Sequence, residues 1–444
     1  MSAISFRSAL LWSMLLFAFS LLSATSCKKD DDDSMPVVPA CDSTLTPIVF
    51  VHGFLASGDT YAAQVQRFES NDYCSAGLFV FDWNTLGTQD AAVQQLNLFI
   101  DNVLANTGAT KVNLVGHSAG GGLGYNFLAD ASRAAKVERY AHLGSSAQSG
   151  PAGPNGSIPT LNVWSDGDKV VQSADIPGAT NVQLPNLDHY QVATGPATFE
   201  TMFKFFNGDQ LPVTTAITAE DEVELSGRVV TLGENAPQAG ATITIYSLDA
   251  ATGNRKSTTP DAVLAADANG NWGPWPAAKA TYYEFFVRTT TAGDRPIHYY
   301  REPFTRSNRQ VYLRTFPPPT SLAGLLLAGI PKNDNQSVLA VFSANQAVVE
   351  QRDQLMVNNF NLATNQYASA ERTTIAFFLY DNGDNQTSGN THAAFNFLQA
   401  FLTGVDYYIP TALPASIKME FNGRSMAVPN LRSETDGVIV AVFD

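Results

Sequence analysis

Val112-Asn113-Leu114-Val115-Gly116-His117-Ser118-Ala119-Gly120 sets an apolar run before a serine framed by small residues, and Gly121 to Leu128 reads as a helix after it. A serine between a strand and a helix in the pattern G-x-S-x-G sits on a tight turn whose neighbouring positions must be small, so that the flanking elements can close up. Ser118 then stands exposed at the carboxyl end of a sheet, at a helix N-terminus whose dipole favours developing negative charge.

The surroundings supply that sheet. Pro47 to Val51, Leu78 to Phe81, Lys111 to Val115, Tyr140 to Leu143, Pro159 to Trp164 and Ala179 to Leu184 are short apolar runs. Ala91, Val93, Leu96, Phe99, Ile100, Val103 and Leu104 recur at helical spacing, and Ala197 to Phe206 reads as a closing helix. Alternating strands and helices predict an α/β fold class with a parallel sheet flanked by helices, and with the G-x-S-x-G turn the domain resembles a small α/β-hydrolase.

In that architecture the order is serine, acid, histidine. The candidate base must follow Ser118 within the same domain, which leaves His142 and His189; His142 precedes every plausible acid, whereas His189 lies in a loop before the last helix. His52 and His117 belong to turns, and His298 and His392 lie further along the chain. Trp164-Ser165-Asp166-Gly167-Asp168-Lys169-Val170-Val171 follows a strand and offers two carboxylates, with Asp168 the candidate acid and Asp166 the alternative. Upstream, Val51-His52-Gly53-Phe54 follows the first strand, and the backbone amides of Phe54 and Ala119 are the expected oxyanion hole.

Beyond Gly208 β-branched and polar residues alternate, as in Glu224 to Val230 and Ala241 to Tyr246, with turns at Asn235-Ala236-Pro237, Asp267-Ala268-Asn269-Gly270 and Gly273-Pro274. This predicts an all-β, sandwich-like C-terminal region. Val229 through Tyr246 resembles the carboxypeptidase-regulatory type of sandwich. Phe316-Pro317-Pro318-Pro319 reads as a stiff linker before a second β-rich unit, in which Asn390 to Phe401 is helical. Trp272, Trp275, Tyr282 and Tyr283 are core residues by the commoner reading and a sugar platform by the rarer. Asp381-Asn382-Gly383-Asp384-Asn385-Gln386 clusters oxygen ligands but lacks the calcium loop's terminal glutamate, so it reads as a surface turn and no metal site is expected.

The chain begins with Arg7 and an apolar run from Ala9 to Leu22, too short to span a bilayer and patterned as a signal peptide. Ala24-Thr25-Ser26-Cys27, followed by two lysines and Asp30 to Asp33, resembles the lipobox of bacterial lipoproteins. That resemblance implies lipidation at Cys27, a membrane anchor, and an exported outer-membrane lipoprotein displayed at the cell surface. Cys41 and Cys74 remain, and an even pair in an oxidising compartment favours a disulfide. The resulting layout is signal peptide 1–26, acidic tether 27–45, catalytic domain 46–208, linker 209–222, β-sandwich 223–316 and second β-rich unit 317–444. A net charge of −15 argues against nucleic acid as a partner, because binding a polyanion needs clustered cations.

Taken together, these residues resemble a family of two-part lipases that join a compact α/β-hydrolase domain to a long β-rich C-terminal region. The likeness rests on Val51-His52-Gly53-Phe54, Gly116-His117-Ser118-Ala119-Gly120, Arg133-Ala134-Ala135-Lys136-Val137, Asp188-His189-Tyr190-Gln191-Val192-Ala193-Thr194 and Phe203-Lys204-Phe205-Phe206-Asn207-Gly208. In the tail it extends to Tyr299-Tyr300-Arg301-Glu302-Pro303-Phe304 and Phe377-Phe378-Leu379-Tyr380-Asp381. The resemblance implies a carboxylic ester hydrolase, lipase or esterase, acting on acylglycerol or other lipid esters through a Ser118, Asp168, His189 triad. No cofactor and no obligate protein partner are expected. A single amphipathic helix nearly fills the stretch between Trp83 and Val112, where members of the family often carry a lid, so no lid is evident. A polyester depolymerase or acyltransferase would use the same triad, and a surface binding protein with a vestigial hydrolase fold is the non-enzymatic alternative.

Overall fold

A computed structural model describes residues 41–398, 401–411 and 416–444. The signal segment, Cys27 and most of the acidic tether lie outside the described residues. No helix among the described residues is long and apolar enough to cross a membrane.

The N-terminal sheet holds six strands: β1 (Ile48–Val51), β2 (Leu78–Phe81), β3 (Val112–His117), β4 (Val137–Leu143), β5 (Thr160–Trp164) and β6 (Thr180–Gln183). They lie in the order β2-β1-β3-β4-β5-β6, and every pairing is parallel. Helices α1 (Ala62–Glu69), α2 (Gln89–Thr107), α3 (Ala119–Leu128), α4 (Ala131–Ala134), α5 (Gln191–Thr194) and α6 (Pro196–Phe206) connect and cover the strands. One face of the sheet packs Phe50, Val115 and Leu161 with Phe68 and Phe199, and the other packs Val49, Val51 and Leu114 with Leu96, Ile100 and Phe127. Apolar surface on both faces is why strands such as β1 and β2 read as unbroken apolar runs, whereas the edge strand β6 carries Thr180, Asn181 and Gln183. Helix α2 starts at Thr88, whose side chain accepts from Ala91 N, and ends at Gly108 with φ 72°. A disulfide joins Cys41 to Cys74, tying the entry of the domain to the turn before β2.

In the C-terminal region, β7 (Val223–Thr231) pairs with Asn271–Ala277 and Leu313–Thr315 in one small sheet. Next, β8 (Thr242–Ser247) enters an eight-stranded sheet. The last strand of the chain, Val438–Phe443, lies in the middle of that sheet, parallel to Ile297–Arg301 on one side and to Leu339–Ser343 on the other. The stretches before and after Phe316-Pro317-Pro318-Pro319 therefore share one sheet, and the proline run connects parts of a single packed body. A further sheet of four strands includes Leu355–Val357 and Ile417–Phe421.

Two local expectations differ from the structure. Gly273-Pro274 lies inside the strand Asn271–Ala277, where the register shifts between Trp272 and Trp275, so the bulge absorbs the residues that read as a turn. The described residues of Asn390 to Phe401, expected as a helix, contain a 3-10 turn at Ala393–Leu398, and the strand Leu402–Asp406 begins soon after it. Trp272 and Tyr283 are buried in the core, and the Trp272 indole donates to Val311 O at 3.1 Å. Asp381 is buried and accepts from the backbone of Gly383, Asn385 and Gln386, a self-satisfied turn.

Candidate active site

Ser118 follows the carboxyl end of β3 and precedes α3, with φ 52° and ψ −122°. A non-glycine residue in this conformation carries strain that only a well-packed turn sustains. The packing is visible in its glycines. A Cβ at Gly116 would meet Gly120 O at 2.5 Å, and one at Gly120 would meet Val51 O at 2.4 Å, so neither position admits a side chain. Ser118 N donates to Leu143 O at 3.0 Å, and Ser145 Oγ donates to Ser118 O at 2.8 Å, fixing the turn from β4.

His189 and Asp168 come from loops at the same edge. His189 Nδ1 meets Asp168 Oδ2 at 2.7 Å, with both side chains buried. Asp168 Oδ1 accepts from Val170 N at 2.9 Å and Val171 N at 3.1 Å. Burial raises the Asp168 pKa, but the His189 hydrogen bond and charge and these two amides outweigh it and hold the carboxyl below its ordinary range. Asp166 instead accepts from Asn186 N at 2.8 Å and braces the turn.

Shared neighbours bring these parts together. His117 Nε2 donates to the His189 carbonyl at 2.9 Å, and their rings lie 4.6 Å apart. A Cβ at Gly53 would fall 3.0 Å from Ser118 Cβ, which places the His52-Gly53-Phe54 turn against the serine. No hydrogen bond joins Ser118 Oγ to His189 among the described residues. Such bonds are often loose in ligand-free enzymes and tighten with substrate.

The other histidines of this half are structural. His142 Nε2 donates to Ser146 O at 3.0 Å, and burial pushes its pKa down to about 4. Burial, helped by the neighbouring His189, pushes His117 down to about 3. His52 accepts from Trp83 N at Nε2 and donates from Nδ1 to Gly53 O, so it is neutral; burial lowers its pKa in agreement.

A cavity of about 320 Å³ adjoins the turn, walled by Phe54, Leu55 and Tyr190 from the catalytic half and by Leu232, Leu326 and Phe401 from the β-rich half. The Phe401 ring lies 6.3 Å from that of His189. Arg352 Nη1 reaches Asp188 Oδ2 at 2.8 Å, next to the histidine. Sequence spacing gave no sign of Phe401 or Arg352 at this place, since each reaches it from a distant part of the chain. Among the described residues no cluster of His, Cys, Asp or Glu could hold a metal ion.

The model of the Lipase (class 2) family matches residues 45–138, the Lipase C-terminal domain matches residues 221–318, and a further C-terminal-domain model matches residues 328–444. A lipase model and a lipase C-terminal-domain model thus match the chain in succession, the arrangement of a two-part lipase. The chain is 40% identical over 96 residues to a triacylglycerol lipase of Burkholderia plantarii, covering 19% of the chain and 26% of that relative. It is 41% identical over 86 residues to one of Pseudarthrobacter phenanthrenivorans, covering 18% and 27%. The chain thus spans about a quarter of the length of these curated relatives. Among solved structures it is similar to a mature Bacillus licheniformis lipase, with 18% identity, TM-score 0.34, and coverage of 38% of this chain and 95% of that one. A naproxen esterase of Bacillus subtilis matches at 16% identity, TM-score 0.29, and coverage of 38% and 86%.

Proposed function

We propose that the protein is a carboxylic ester hydrolase that works through an acyl-enzyme on Ser118. The observation that carries this reading is the buried Asp168–His189 hydrogen bond set beside a strained serine turn at the end of a parallel sheet. His189 Nε2 takes the Ser118 proton as Oγ adds to the ester carbonyl, while Asp168 holds the ring with Nδ1 protonated and stabilises the imidazolium. The tetrahedral oxyanion is met by the amides of Phe54 and Ala119, the latter a first-turn amide of α3 with no partner inside the helix. His189 returns the proton to the leaving alcohol, and water repeats the sequence to free the acid.

The acyl chain of an acylglycerol or other lipid ester is the occupant we assign to the cavity beside Phe54 and Phe401, whose wall is mostly apolar but also carries Asp59, Arg301 and Arg314. Hydrolysis of p-nitrophenyl esters from acetyl to palmitoyl, with Ser118→Ala alongside, tests the proposal. Activity on acyl chains that vanishes in the variant is the expected result, and an inactive wild type or an active variant would refute it. Anchoring through Cys27 rests on sequence alone; a Cys27→Ser protein that still fractionates with membranes would refute that part.

A further inference from the structure

We propose that Asn235, in the turn after β7, is a positioning residue for the oxyanion hole; the inference rests on the ester-hydrolase reading. Asn235 is buried, has φ 56°, and sits in the β-rich half, yet all four side-chain contacts named here reach into the catalytic half. Its Oδ1 accepts from Ser57 Oγ at 2.5 Å. Its Nδ2 donates to Ala56 O at 2.8 Å and Trp83 O at 3.1 Å, and lies 3.3 Å from His52 Nε2. Two carbonyl acceptors fix which end of the amide is nitrogen, because a carbonyl cannot donate.

These contacts converge on one peptide plane. His52 Nδ1 donates to Gly53 O at 2.8 Å, and Ala56 N donates to the same oxygen at 3.3 Å. In a trans peptide the carbonyl and the following N–H point in opposite directions, so fixing Gly53 O fixes the aim of Phe54 N–H. Asn235 ties down both groups that grip this oxygen: it meets the far nitrogen of His52, and it holds the carbonyl of Ala56. The loop it restrains is strained, since Leu55 has φ 56°. The Leu55 side chain is clamped from the same turn, packing into the β-rich core with Cδ2 3.3 Å from where a Gly233 Cβ would lie. An aligned donor helps only if it needs no reorganisation as charge develops, which is what restraint of a strained loop provides.

The test uses the full chain with Asn235→Ala and Asn235→Asp; the aspartate keeps the Ser57 contact but sets an oxygen against two carbonyls. Steady-state kinetics on p-nitrophenyl butyrate are read beside inhibition by phenylboronic acid, whose boron accepts Ser118 Oγ to form a tetrahedral adduct. The expected result for both variants is a kcat at least tenfold lower with KM within twofold, and boronate affinity falling in proportion to kcat/KM. A merely structural role would lower the melting temperature and leave kcat and boronate affinity of the folded protein within twofold, and that result overturns the inference. Should both variants fail to fold, Ser57→Ala removes one contact from the opposite side and is judged by the same split. A wild type that cleaves no ester, or Ser118→Ala that does, overturns the hydrolase reading itself, whereas an active enzyme indifferent to Asn235 overturns only this inference.

Discussion

Each half of the molecule contains a buried carboxylate bonded to a histidine, and the two pairs serve different ends. In the catalytic half His189 Nδ1 faces Asp168 at 2.7 Å, and its Nε2 has no hydrogen-bond partner among the described residues. In the β-rich half His298 Nδ1 faces Glu284 at 2.5 Å, but its Nε2 donates to Asp436 O at 2.8 Å, and Arg255 supplies two further bonds to Glu284. With both nitrogens committed and no serine turn beside it, His298 can only hold strands together. A carboxylate–histidine pair becomes chemically useful when one ring nitrogen is left open next to a nucleophile.

The strongest way to break that comparison is to disable each pair in turn. Asp168→Asn leaves the shape intact but favours the wrong His189 tautomer, and a fall in kcat of roughly ten-thousandfold is expected, with only a modest drop in melting temperature. Steady-state kinetics and a thermal melt check both. Glu284→Gln reverses the pattern: Arg255 and His298 lose their buried counter-charge, at a cost of about 3 kcal/mol in denaturant unfolding, while kcat per folded molecule stays within twofold. If Glu284→Gln abolished turnover in a folded protein, the two pairs would not be separable.

A smaller effect sharpens the boundary between the halves. Arg352 crosses it to Asp188, whose Oδ2 also accepts from Ala347 N at 3.2 Å and whose Oδ1 caps Tyr190 and Gln191. Burial raises the Asp188 pKa, opposed by Arg352 and the capping amides. Arg352→Ala is expected to cost about 2 kcal/mol, less than a fully buried pair because Arg352 is one-third exposed. A several-fold loss of kcat should accompany it through the loop that carries His189, and unchanged kinetics would show that this loop is held from the catalytic half alone.

The same division governs what could be read from the sequence. Strands β3 to β6 lie side by side in chain order, so order along the chain was enough to propose Ser118, His189 and either Asp168 or Asp166 as candidates, and the structure brings His189 and Asp168 into contact. The β-rich sheet is held by Val438–Phe443 inserting between strands that lie far earlier in the chain, and local alternation of residues contains nothing about such pairing. Asn235-Ala236-Pro237 was legible as a turn because its backbone conformation is local. The reach of the Asn235 side chain to Ser57, Ala56 and Trp83 was not, because it depends on how two sheets dock.

Acid sharpens the comparison further, with the smallest expected effect. Glu284 is raised by burial but lowered more by its Arg255 and His298 bonds, so its folded pKa lies below the ordinary 4.5; Asp168 likewise lies below 3.8. A carboxylate with a depressed folded pKa stabilises the native state above its unfolded value, and the contribution is lost as pH falls through the folded value. The stability advantage of wild type over Glu284→Gln should therefore hold from neutral pH down to the ordinary carboxylate value of 4.5, then narrow as the pH falls further through the folded value. Asp168→Asn should show a gap of the same sign that begins to narrow at lower pH, because its unfolded value is lower. Urea unfolding across this range reads both gaps. A gap that widened with acid would mean that folding raises the Glu284 pKa, against the direction its Arg255 and His298 bonds impose.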